Sequence, residues 1–80
     1  MSTLVQLNSI FQEVFDDPRL VVAPETTPDD LPDWDSVAQV KLVLSIEEMF
    51  SIRFTSDELS SIHSVAGFME AIAKLKGLEK

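Results

Sequence analysis

All four prolines of this 80-residue chain, Pro18, Pro24, Pro28 and Pro32, fall within residues 17–35, with apolar residues at helical spacing on both sides. Proline removes a backbone donor and clashes with the preceding turn, so no regular helix can cross that stretch. The chain is thereby divided into a first helix, a long loop and a helical remainder. In the first part Leu4, Leu7, Ile10, Phe11, Val14 and Phe15 recur at three- and four-residue steps. This predicts a helix over about residues 3–16, with Ser2 or Thr3 as N-cap and an end near Asp16-Asp17-Pro18. Loops of this length in small domains are usually functional or disordered. Here Leu20, Val21, Val22 and Leu31 supply apolar anchors. Leu20 to Val22 has no second strand to pair with and reads as ordered loop.

Asp35 is placed to cap a helix running from Ser36 to Phe50. On a wheel, Leu42, Val43, Ile46, Met49 and Phe50 form one broad apolar face. Val37, Val40 and Leu44 form a second stripe, bounded by Glu47 on one side and by Lys41, Ser45 and Glu48 on the other. Periodicity alone slightly favours burying both; the alternative is an apolar patch rimmed by charge, as partner sites are. Thr55-Ser56-Asp57-Glu58 matches a capping box opening a short helix over about residues 56–61. Ser64 caps a last helix over about residues 65–76, with Val65, Phe68, Met69, Ile72 and Leu75 inward, Gly77 as its stop and Lys74 and Lys76 near its negative end. Gly67 within that helix marks a close approach. The expected fold is all-α: a small four-helix bundle of three longer helices and one short one, a single domain over residues 1–80 without internal repeats.

Composition narrows the function classes. Fourteen acidic residues against six basic ones give a net charge of −8, which disfavours nucleic acid and anionic membrane surfaces. Such a surface suits partners with basic patches, or serves solubility alone. There is no Cys, so disulfides, thiolate chemistry and thiolate zinc sites are excluded. The first residues lack the basic stretch of a secretory signal, and no apolar run reaches membrane-spanning length. A cytoplasmic monomer is expected.

Few constellations survive inspection. Asp29, Asp30, Asp33 and Asp35 suggest a calcium loop, but counting from Asp33 puts Ala38 at the required glycine and Leu44 at the closing glutamate. From Asp29 the third position is already Leu31, so no metal site is expected. Ser36 with His63, the single histidine, could be a nucleophile and base, yet so short a chain has no room for an enclosed oxyanion site. Met49 and Met69 read as core filler. Trp34 either packs over the turn or helps a partner read the neighbouring serine. Ser36 itself occupies the first turn after a capping aspartate, where the positive end of the helix dipole suits a phosphoester.

Asp35-Ser36-Val37, the helix from Val40 to Phe50 with its Glu47-Glu48-Met49-Phe50 end, and Ile52-Arg53-Phe54 resemble acyl carrier proteins. The resemblance spans the long first loop, the short third helix and the Ser64-Val65 start. It implies that Ser36 is the residue to which a phosphopantetheinyl transferase attaches 4′-phosphopantetheine from coenzyme A, with Asp35 as helix cap and part of what the transferase recognises. The arm's terminal thiol would then carry an acyl group as a thioester between loading enzymes and downstream synthases or transferases. The protein would not itself be an enzyme. The resemblance also assigns Val37, Val40, Lys41, Leu44, Glu47 and Glu48 to partner contact, reversing the preference from periodicity, and implies that the helices part slightly to shelter an acyl chain.

Ala38, Lys41 and Met49 stand where carriers of fatty acid synthesis usually have acids. This points to a discrete carrier of polyketide or other specialised biosynthesis. An aminoacyl or peptidyl carrier (nonribosomal peptide or D-alanyl type) is the alternative within the class. An unmodified helical adaptor and a small hydrolase using Ser36 are the alternatives outside it.

Overall fold

The computed structural model describes residues 3–78. Among them are four helices and no strand: α1 (Thr3–Val14), α2 (Ser36–Phe50), α3 (Ser56–Ser60) and α4 (Val65–Leu78). The first helix stops two residues before the expected end. Asp16 takes a left-handed φ of 52°, and the Asp17 N–H returns to the Gln12 carbonyl at 2.9 Å. This local C-cap ends the helix before Pro18 can act, and an aspartate tolerates the conformation. At the N-terminus Thr3 is already helical, and Ser2 lies outside the described residues. The last helix runs through Gly77, which has no positive φ and is not the expected stop.

The first loop is held by α1 rather than by itself. Asn8 grips Val22 at both backbone groups: its Oδ1 accepts from the Val22 N–H at 2.7 Å and its Nδ2 donates to the Val22 carbonyl at 3.2 Å. Gln12 Nε2 donates to the Leu20 carbonyl at 2.9 Å. Two amides of α1 thus supply the pairing that a second strand would have given. Val22 is buried and Leu20 half-buried, but Val21 points outward at 80% exposure and anchors nothing. The loop then caps α4, since the Val65 and Ala66 amides donate to the carbonyls of Thr26 (3.0 Å) and Pro24 (2.8 Å). Ser64 Oγ accepts from the Gly67 N–H at 3.2 Å, completing that cap.

The core joins Leu7, Ile10 and Phe11 of α1, Leu42, Val43, Ile46 and Phe50 of α2, and Val65, Phe68 and Ile72 of α4. Trp34 belongs to it. Its ring is 6% exposed, meets Phe11 edge-on at a centroid distance of 5.2 Å and lies parallel to Phe68 at 6.2 Å. Gly67 is the close approach that its position suggested: a Cβ there would sit 3.3 Å from both Cα and Cγ2 of Ile62. Met69 is half-buried against the core, whereas Met49 is 47% exposed and is not core filler. It lies on the α1 side of α2, but α1 leaves a groove of about 320 Å³ open there, lined also by Ile10 and Glu13.

Candidate functional site

Asp35 is extended (φ −106°, ψ −169°), and its Oδ1 accepts the Ala38 N–H at 2.9 Å while its carbonyl accepts that of Gln39 at 2.9 Å. The helix therefore begins at Ser36, as the capping pattern predicts. Ser36 is exposed, and neither its hydroxyl nor the Ser36 and Val37 amides find a partner within the described residues. Unspent amide donors at a helix N-terminus favour negative charge. The turn is held rigidly from behind, because Trp34 is anchored in the core immediately before the cap. The choice left open for Trp34 is settled in favour of packing.

The second stripe of α2 faces solvent: Val37, Val40 and Leu44 are 63%, 57% and 59% exposed. Burial, which periodicity slightly favoured, is not what the fold does. Lys41 and Glu48 are exposed beside the stripe. Glu47 differs from the expected rim charge, being half-buried with its Oε2 accepting the Phe54 N–H at 2.9 Å. Its carboxylate fixes the loop that returns from α2 towards α3. The end of α2 is closed by Ser51 in a left-handed conformation (φ 56°) and by Lys76 of α4, whose Nζ donates to the Phe50 carbonyl at 3.2 Å.

An apolar groove of about 460 Å³ separates α2 from α3, lined by Gln39, Val40, Val43, Leu44, Ser56, Leu59 and Ser60. Residues three, four and seven positions after Ser36 share its side of the helix, so the groove opens one turn below that serine. No residue of α3 is fully buried. That helix is secured by its capping box, with Thr55 Oγ1 accepting from the Glu58 N–H (3.2 Å) and Glu58 Oε1 from the Thr55 N–H (2.8 Å). The Thr55 N–H bond above all, with the Thr55 side chain and Lys74 of α4 at 3.9 Å, holds the Glu58 carboxyl below its ordinary pKa. His63 is exposed on the link from α3 to α4. Among the described residues no group of three or more His, Asp or Glu side chains is placed to hold a metal. Gln39 was not singled out by sequence; its one signal was its place three residues after Ser36 and five after Trp34.

No protein-family model matches the chain. An acyl carrier protein of Acidothermus cellulolyticus is 34% identical over 70 residues, covering 88% of this chain and 83% of that protein. The solution structure of a holo acyl carrier protein from Geobacter metallireducens superposes with a TM-score of 0.89 at 33% identity, over 99% of this chain and 91% of that one. The crystal structure of an acyl carrier protein from Thermotoga maritima shares the fold, with a TM-score of 0.82 at 24% identity over 95% of this chain and 88% of that one. The chain belongs to the acyl carrier protein family. It is a carrier rather than a catalyst.

Proposed function

We propose that this protein carries acyl intermediates as thioesters on a 4′-phosphopantetheine arm esterified to Ser36, and presents them to the enzymes of a specialised pathway such as polyketide synthesis. The observation that carries the reading is Ser36 itself: exposed, first in α2, next to the capping Asp35, with a hydroxyl free of internal bonds. A phosphodiester there fits the two unspent amides of the first turn. When bound, the arm supplies a terminal thiol, which the cysteine-free chain lacks. The chain's own residues position the serine, Trp34 and Asp35 by fixing the turn and Val40, Val43 and Leu59 by offering apolar surface one turn away. The structural likeness to a holo carrier supports the same reading. The protein would act in the cytoplasm, where a transferase modifies it from coenzyme A.

Partner enzymes would read α2 chiefly through Val37, Val40 and Leu44, with Lys41 and Glu48 as flanking charges. Positive charge at Lys41, where fatty acid carriers usually have an acid, supports a partner set distinct from theirs. The test is to incubate the protein with coenzyme A and a broad-specificity phosphopantetheinyl transferase and measure its mass. A gain of one phosphopantetheine, absent in Ser36→Ala, is expected; no gain by the folded protein contradicts the proposal.

A further inference from the structure

The groove between α2 and α3 is apolar except at a few points, and the point nearest Ser36 is built from two residues. The buried Trp34 donates its indole N–H to Gln39 Oε1 at 2.7 Å. An indole nitrogen can only donate, so this bond fixes which end of the Gln39 amide faces the core. The other end, Nε2 with its two hydrogens, has no acceptor within the described residues. Gln39 is half-buried, lines the groove, and lies about 4.5 Å along the helix axis from Ser36, at 1.5 Å per residue. On the opposite wall the Ser60 hydroxyl is already spent on the Asp57 carbonyl at 2.9 Å. Ser56 presents its hydroxyl at the outer rim, where it is exposed to solvent, and the remaining lining by Val40, Val43, Leu44 and Leu59 offers no donor. A fixed donor at the mouth of an apolar groove discriminates by hydrogen bonding, and a saturated acyl chain offers it no acceptor beyond the thioester carbonyl that every cargo shares.

Resting on the carrier reading above, we propose that Gln39, oriented by Trp34, is a specificity-determining residue that favours acyl cargo bearing an oxygen acceptor close to the thioester over saturated acyl cargo. Gln39 touches the cargo; Trp34 is a positioning residue. The hydrocarbon part of the cargo lies against Val40, Val43 and Leu59, and the oxygen accepts from Gln39 Nε2–H. One exchanged neutral hydrogen bond supports a preference of roughly fivefold.

The experiment loads the intact protein with a phosphopantetheinyl transferase from coenzyme A, hexanoyl-coenzyme A or 3-oxohexanoyl-coenzyme A. Mass spectrometry checks the loading, and the Gln39 side-chain amide is followed by ¹⁵N NMR. The amide protons are expected to move downfield with the 3-oxo cargo, beyond the arm-only and hexanoyl forms, and the backbone amides of Gln39 and Val40 to shift differently with the two cargoes. Gln39→Glu keeps an acceptor for Trp34 and removes the donor. It should leave the Trp34 indole signal in place and abolish the difference between cargoes. Loading without an amide response, or an equal response in all three forms, overturns the inference and leaves the carrier reading standing. No mass gain at all overturns the carrier reading and the inference with it.

Discussion

The first loop and α3 are held in opposite ways. The first loop has no helix or strand of its own, yet it is tied at both ends of the core: Asn8 and Gln12 hold Val22 and Leu20, and the Pro24 and Thr26 carbonyls cap α4. By contrast, α3 is regular but short, with no fully buried residue and an apolar groove beside it. Its tethers are polar and near the surface: the Thr55–Glu58 capping box, the Glu47–Phe54 bond and a long Lys74–Glu58 pair. Regular secondary structure is therefore a poor guide to rigidity here. The unpatterned segment backs Trp34 and Ser36, whereas the helical one is the more weakly held wall of the groove.

Removing a tie on the loop side should have the larger effect. Asn8→Ala strips Val22 of both partners and is expected to cost about 2 kcal/mol in denaturant unfolding, since buried backbone groups lose their bonds. A change below about 0.5 kcal/mol would mean that the loop is held by Val22 packing alone. On the other side, Thr55→Ala removes a helix cap and should cost about 1 kcal/mol or less, felt mainly as loss of α3. The same element responds to acid. The Glu58 carboxyl is depressed chiefly by its bond to the Thr55 amide, so its stabilisation is full above the ordinary glutamate pKa and fades as pH falls through the lower folded value. Circular dichroism on acidification should show α3 loosening before the Trp34 fluorescence changes; simultaneous loss would make the two regions one unit. Smallest in stability is Leu44→Ala, expected within about 0.5 kcal/mol of the parent because Leu44 is exposed. It should nonetheless slow transfer to a partner enzyme, and unchanged transfer would remove Leu44 from the docking face.

The helix starts were legible because their causes are local. Asp35 and the Thr55–Glu58 pair act within one turn, and a polar cap before an apolar run needs no tertiary knowledge. What the chain conceals is decided by neighbours distant in sequence. A wheel counts apolar faces without saying what covers them, so Met49 reads as core and Val40 reads as buried. Glu47 looks like a rim charge until the chain turns back and brings the Phe54 amide to it. Trp34 was ambiguous for the same reason, since the rings that receive it belong to Phe11 and Phe68. Asn8 and Gln12 carried no sequence signal, since the groups they bind belong to Val22 and Leu20 in the loop. Nothing local distinguishes an amide facing water from one stitching a loop.

Native-state hydrogen exchange tests the contrast most directly. The Val22, Val65 and Ala66 amides, which bond to Asn8, Thr26 and Pro24, should exchange slowly, close to the rate set by global unfolding. The Leu59 and Ser61 amides, bonded within and at the end of α3, should exchange faster through local opening. Equal protection, or faster exchange at Val22 than at Leu59, would contradict the account.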